Sequence, residues 1–208
     1  TSEWTEDDLV AAARAISALG DDVYGFDANW YLLWGIRNTY GDPNYDVTAK
    51  EMRATGNESY AHGLELFSKL IHEGSSPEPT DAGGLAAGFQ SGLIGMQVIG
   101  AWDPTAYQEQ IGDRFSWDVV RMPADSAFGA WTTPLFDDGL AISAGTKHKD
   151  AALKFINFLT TDEEAQRIAE SLGYPALSTL TDEYLQSFPE GANPYNKAAF
   201  QESPRVSW

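Results

Sequence analysis

The sequence predicts an α/β protein on three observations. Amphipathic helical segments alternate with short apolar runs along the chain. The run LIGMQVIG at residues 93–100 is apolar on both faces, as a strand inside a sheet would be. No internal repeat or low-complexity segment points to another architecture. At 208 residues the chain holds one large domain or two small ones and can bury a substantial core. Its 43% apolar content, with 7 Trp, 9 Tyr and 10 Phe, excludes a disordered chain. No window approaches 18 consecutive apolar residues, so no segment is expected to cross a membrane.

The first element is a helix in SEWTEDDLVAAARAISALG. Leu9, Ala12, Ala13 and Ile16 recur at helical spacing, Thr5 is placed to cap the start, and Gly20 marks the stop. The aromatic stretch VYGFDANWYLLWGIRNTYGDPNYD follows, expected to begin as a short strand and continue as a helix. A second amphipathic helix is expected from Tyr60, Leu64, Phe67 and Ile71, closed by Gly74. SSPEPTDAGG reads as a surface loop, and LAAGFQSG as a short helix leading into the 93–100 strand. Pro104 then fits a first helical turn, where its missing N–H is not needed.

Further strands are expected at SWDVVRMP and GLAIS, with a long loop carrying Phe128, Trp131 and Phe136 between them. KDAALKFINFL, with Ala152, Phe155, Ile156 and Leu159 on one face, reads as a helix. A separate helix is expected to begin at Thr161, whose spacing to Glu164 matches a capping box. The tail from Gly173 on is rich in Pro, Ser and Asn and reads as mostly irregular.

Charge and composition narrow the chemistry. Thirteen basic against 31 acidic residues leave a net charge of −18, which repels nucleic acid and anionic lipid and favours a neutral or cationic ligand. With no Cys, disulfides, thiol catalysis and zinc–thiolate sites are excluded. His62, His72 and His148 lie in no hydrolase or zincin pattern, and no phosphate-binding glycine motif occurs. Asp42, Asn44 and Asp46 imitate the start of a calcium loop, but Val47 replaces the required Gly and Arg53 the bidentate Glu. No metal, cofactor or catalytic residue is therefore expected. Paired carboxylates such as Asp137–Asp138 and Glu163–Glu164 leave one alternative, a glycoside hydrolase using two acids. Those pairs are more simply explained as a loop polar group and a helix N-terminus favourable to anions.

Three loops combine flat aromatic rings with Asp or Asn, the two things a sugar needs: stacking for its C–H face and acceptors for its hydroxyls. They supply the candidate binding residues Trp30, Tyr31, Trp34, Trp102, Asp103, Trp131 and Asp137. Taken singly, each Trp is more often core than ligand, and it is the three loops together that point to a sugar.

Three stretches resemble the extracellular solute-binding proteins of ABC importers, in the sugar-binding branch that includes maltose-binding protein. They are EWTEDDLVAAARAIS, FQSGLIGMQVIGAW and GLAISAGTKHKDAALKFINFLTTDEEAQ, which together cover most of residues 3–178. The second matches a pattern F-x-x-G-x-x-A-M-x-x-x-G-x-W, with Gly95 standing where the family usually has Ala. The resemblance implies a type II periplasmic-binding-protein fold, with two α/β lobes closing on a sugar about a hinge. It implies that Trp102 stacks on the sugar, with Trp30 and Tyr31 near another aromatic of the same lobe.

In that pattern residues 1–138 are mainly the second lobe, and 139–208 hold the hinge crossing, helices of the first lobe and an irregular tail. The implied partners are a mono- or oligosaccharide and the permease subunits of an ABC transporter. The implied location is extracellular or periplasmic, with membrane attachment only through the transporter or a lipid anchor outside this chain. Family members are about twice this length and begin with strands that precede the first helix here. The expectation is therefore an internal fragment that binds sugar weakly by itself.

Overall fold

The computed structural model describes residues 4–29, 45–46, 50–52, 58–78, 88–100, 102–123 and 140–162. Five helices lie among them: α1 (Glu6–Ser17), α2 (Glu58–His72), α3 (Gly88–Ser91), α4 (Pro104–Ile111) and α5 (Lys149–Thr161). Two short strands, β1 (Tyr45–Asp46) and β2 (Glu51–Met52), pair antiparallel, Tyr45 opposite Met52 and Asp46 opposite Glu51.

Helix α1 starts where the sequence places it. The Thr5 side chain accepts from the Asp8 backbone N–H, and the Asp8 side chain accepts from the Thr5 backbone, so two orphan donors are satisfied reciprocally. The Thr5 hydroxyl and the Thr5 backbone N–H both donate to the Asp8 carboxylate, which favours its ionised form and holds Asp8 below the usual carboxylate range. Helix α2 ends at Gly74, whose φ of 72° is open to glycine at little cost. Gly74 N–H donates to the Ile71 carbonyl and Ser75 N–H to that of Leu70, a Schellman closure.

The buried stripe of α2 differs from the expected one. Leu66 and Leu70 are buried, Phe67 and Ile71 flank them, and Leu64 is exposed. Both stripes have helical spacing, and the helix turns toward its neighbours the one that meets Phe26 and α1.

Two extended segments run parallel at the centre, bridged at Tyr24–Ile94 and Asp27–Gln97. Tyr24 N–H donates to the Leu93 carbonyl, Gly95 N–H to that of Tyr24, and Asp27 N–H to that of Met96, each at 2.9 Å. On the other edge of the first segment, Phe26 N–H reaches the Ser75 carbonyl and Ala28 N–H the Ser76 hydroxyl, so the buried serines are partnered. Between the two bridges the ladder is interrupted, and there α1 lies directly on the backbone. A Cβ on Gly25 would stand 1.9 Å from the Ala13 carbonyl oxygen. One on Gly95 would stand 2.8 Å from Ile16, so even the small change from Ala to Gly at this position has a packing reason.

Each face of this pair is covered. On one, Leu9, Val10, Ala13, Phe26, Ala28, Leu66 and Leu70 form the main core, with Met96 and Val98 against it. On the other, Ile111 and Trp117 are buried among Phe89, Tyr107, Phe115 and Val119. The Phe89 ring stacks on Tyr107 at 5.9 Å and meets Phe115 and Trp117 edge-on.

The expected strand over 116–123 joins no ladder among the described residues. Trp117 and Val119 point inward and Asp118 and Val120 outward, so the alternation is kept. Its backbone is engaged elsewhere: Val119 N–H by the Asp118 carboxylate and the Arg121 carbonyl by the Trp4 indole. Residues 140–143, the other expected strand, are exposed and likewise join no described ladder.

Thr161 is the last residue of α5, and its hydroxyl donates back to the Asn157 carbonyl at 2.6 Å. The helix expected to begin there, with Glu164, lies outside the described residues. Along α5, Ala152, Ile156 and Leu159 are half-buried, while Phe155 is 60% exposed. None of the described helices is long and apolar enough to cross a membrane.

Candidate functional site

The segments 24–29 and 94–100 end side by side, and the chain emerging from the second enters α4. Asp103 is the residue before that helix and Pro104 opens it, as the sequence predicts. Carboxyl ends of parallel strands are where the connecting loops and helix N-termini leave room for a ligand.

Trp102 stands at this mouth, 39% exposed. Its indole folds back over Gly100, and a Cβ on that glycine would lie 2.3 Å from the ring. The bare backbone at Gly100 is thus the bed on which one face of the indole rests. A large ring supported in this way and left partly in solvent can receive the apolar face of a ligand.

Asp103 is half-buried and bends inward. Its Oδ2 accepts the Gly100 N–H at 2.8 Å, and its backbone N–H donates to the Gly100 carbonyl, so Asp103 ties the Trp102 loop closed. Burial pushes its carboxyl above the usual range, with the Gly100 bond opposing. Its side chain does not cap α4.

A polar chain beside this loop has no counterpart among the residues singled out from sequence. Gln97 donates from Nε2 to Asp27 Oδ2 at 2.8 Å, and Tyr107 donates its hydroxyl to Gln97 Oε1 at 2.9 Å. Asn29 donates from Nδ2 to the same Asp27 oxygen at 3.0 Å and to the Val98 carbonyl at 3.4 Å. Asn29 N–H also reaches the Asp27 carbonyl, a tight turn at the end of the segment. The available signal was alternation: Met96 and Val98 face the core, so Gln97 between them faces the other way, toward α4.

Of the sequence-predicted residues, the structure brings Trp102 and Asp103 together at the mouth. Trp30, Tyr31, Trp34, Trp131 and Asp137 lie outside the described residues, as do Asp42 and Asn44 of the calcium-like run. Among the described residues no group of three or more His, Asp or Glu is placed to hold a metal ion.

Residues 1–166 match the family model described as bacterial extracellular solute-binding protein. Over 70 residues, 34% of this chain and 19% of the relative, the sequence is 39% identical to the spermidine/putrescine-binding periplasmic protein of Salmonella typhimurium. Over 56 residues, 27% of this chain and 16% of the relative, it is 45% identical to the protein of the same name from Escherichia coli.

Among solved structures it is similar to an ABC substrate-binding protein from Listeria monocytogenes in complex with cycloalternan. The TM-score is 0.73 at 21% identity, over 98% of this chain and 52% of that one. It is also similar to a maltose/maltodextrin-binding domain from Bdellovibrio bacteriovorus bound to maltotriose, with a TM-score of 0.67 at 18% identity, over 88% and 50% of the two chains. The chain thus spans about half the length of these solved chains, and its matched stretches cover less than a fifth of the curated relatives.

Proposed function

The chain belongs to the bacterial extracellular solute-binding protein family and carries the α/β fold of type II periplasmic binding proteins, and on that premise we propose that it binds a sugar or oligosaccharide for delivery to an ABC importer. The observation that carries the reading is Trp102, held face-down on Gly100 and open at the mouth of two parallel segments, beside a row of carboxylate and amide groups. A stacking platform next to fixed acceptors suits a pyranose ring, whose C–H face is apolar and whose rim is hydroxylated. Neighbours of the same fold hold cycloalternan and maltotriose, which supports this ligand class.

Binding here needs no covalent step. Selectivity comes from stacking and hydrogen bonds, and closure follows from tighter binding to the closed state. In this reading residues 1–138 form mainly one lobe, and 139–208 cross the hinge and pack in the other. Among the described residues the buried hydrophobic side chains lie between Leu9 and Trp117, and α5 buries none of its own. The working location is outside the cytoplasmic membrane, with the permease as partner.

The test is a thermal-shift screen of the full-length protein against mono- and oligosaccharides, with maltotriose among them, since a ligand bound only by the folded state raises the melting temperature. No shift with any sugar sinks the reading. Incubation with oligosaccharides is expected to leave them intact, whereas shortened products would favour the glycoside-hydrolase alternative.

One observation favours a second reading: two curated relatives with local identities of 39% and 45% are named for spermidine and putrescine, and a net charge of −18 suits a cation. Spermidine and putrescine therefore belong in the same screen.

A further inference from the structure

We propose that Asp27 is a ligand-binding residue of this site, its Oδ1 accepting hydrogen bonds from hydroxyls of the sugar that lies on Trp102; this rests on the sugar-binding reading. The carboxylate is half-buried at the end of the first parallel segment, directly across the ladder from Gln97, three residues before Gly100. Two amide donors, Gln97 Nε2 at 2.8 Å and Asn29 Nδ2 at 3.0 Å, converge on one oxygen, Oδ2. Among the described residues nothing donates to Oδ1. A carboxylate gripped through one oxygen cannot rotate freely, so the other oxygen holds a set direction with its acceptor capacity intact.

Both grips are anchored in turn. Gln97 accepts from the Tyr107 hydroxyl on α4, the helix that Trp102 and Asp103 introduce, and Asn29 donates to the Val98 carbonyl as well. Tyr107 itself is fixed by its stack on Phe89. The chain Tyr107–Gln97–Asp27 therefore links the platform loop to the segment running into Trp30 and Tyr31. These hydrogen bonds tie the Asp27 carboxylate to α4 through Gln97.

An ionised carboxylate only accepts, so the group it selects must donate. Gln97 and Asn29 are then positioning residues that act through Asp27.

The experiment is calorimetric titration of maltotriose, and separately of spermidine, into the full-length protein and two variants. Asp27→Asn keeps the shape, and its carbonyl oxygen can still accept from Gln97 and Asn29, but an NH2 donor replaces Oδ1. Maltotriose affinity is expected to fall about tenfold or more, the scale of a lost hydrogen bond to a charged group, with the melting temperature of the ligand-free protein unchanged. Gln97→Met keeps the bulk and removes one grip, and a smaller loss is expected at unchanged melting temperature, which keeps the assignment testable if the first variant folds poorly. Wild-type affinity in Asp27→Asn, or losses that only track lower melting temperatures, would overturn the assignment of Asp27 while leaving the sugar-binding reading in place. A wild-type protein that binds spermidine and not maltotriose, or neither, overturns the sugar reading and this hydroxyl assignment with it.

Discussion

The Trp102 ring and the glycine beneath it act as one unit. Trp102→Ala is expected to weaken sugar binding by the full-length protein by about 1–3 kcal/mol, the scale of a lost stacking surface and its burial. An unchanged dissociation constant in a folded variant would assign Trp102 to packing alone. Gly100→Ala places a methyl where the indole lies and must lift the ring from its bed. Titration should then show weaker binding although Trp102 is intact.

Asp103 makes a pH-dependent prediction. Its folded-state pKa is raised, chiefly by burial, so its contribution to stability is fully present below the unfolded-state pKa and is lost as pH rises through the folded value. At neutral pH its charge is a net cost. Asp103→Asn, which can still accept the Gly100 N–H, should therefore melt higher than wild type at neutral pH, and the difference should close below the ordinary carboxylate range. A variant less stable than wild type at neutral pH would mean that the bond to Gly100 outweighs the desolvation.

Elements were legible wherever a local rule sets them. Thr5 with Asp8 starts α1, Gly74 ends α2 and Pro104 opens α4, because each acts on backbone groups within a few residues of itself. Which face an element buries was less legible. The Tyr60–Leu64–Phe67–Ile71 stripe and the Leu66–Leu70 stripe both fit a helix, and contact with Phe26 and α1 selects the latter.

The expected strand at 116–123 keeps its alternation yet joins no described ladder, because pairing depends on a neighbour that its own residues do not name. Gly25 carries the element-scale prediction. Gly25→Ala drives a methyl into the backbone of α1 at Ala13, which cannot yield as a side-chain tip can. A loss of about 3 kcal/mol or more is expected in urea unfolding, at the upper end of what overpacking costs. Near-wild-type stability would show that α1 can slide away from the segment.

At the scale of the molecule, charge separates the two ligand classes. Sugar binding should be nearly the same at low and high salt, since no net charge is neutralised. Polyamine binding to a chain of net charge −18 should weaken as salt screens the field. Calorimetry at two ionic strengths distinguishes them. The exposed apolar side chains of α5, among them Leu153, Phe155 and Phe158, belong to the same scale.

Patterns that operate within a few residues were determined by the sequence by itself: the helix starts and stops, the apolar central segment, the acidic surface, and a Trp delivered directly before Asp103 and Pro104. The matching of residues far apart was decided only by the tertiary structure. Asp27 and Gln97 are 70 positions apart, and nothing local to either pairs them. A parallel ladder brings them face to face, and Tyr107 on α4 donates to Gln97. The physical reason is that periodicity and capping act through the backbone of one segment, whereas a site is made where the ends of several segments meet, and that meeting is set by which cores they share.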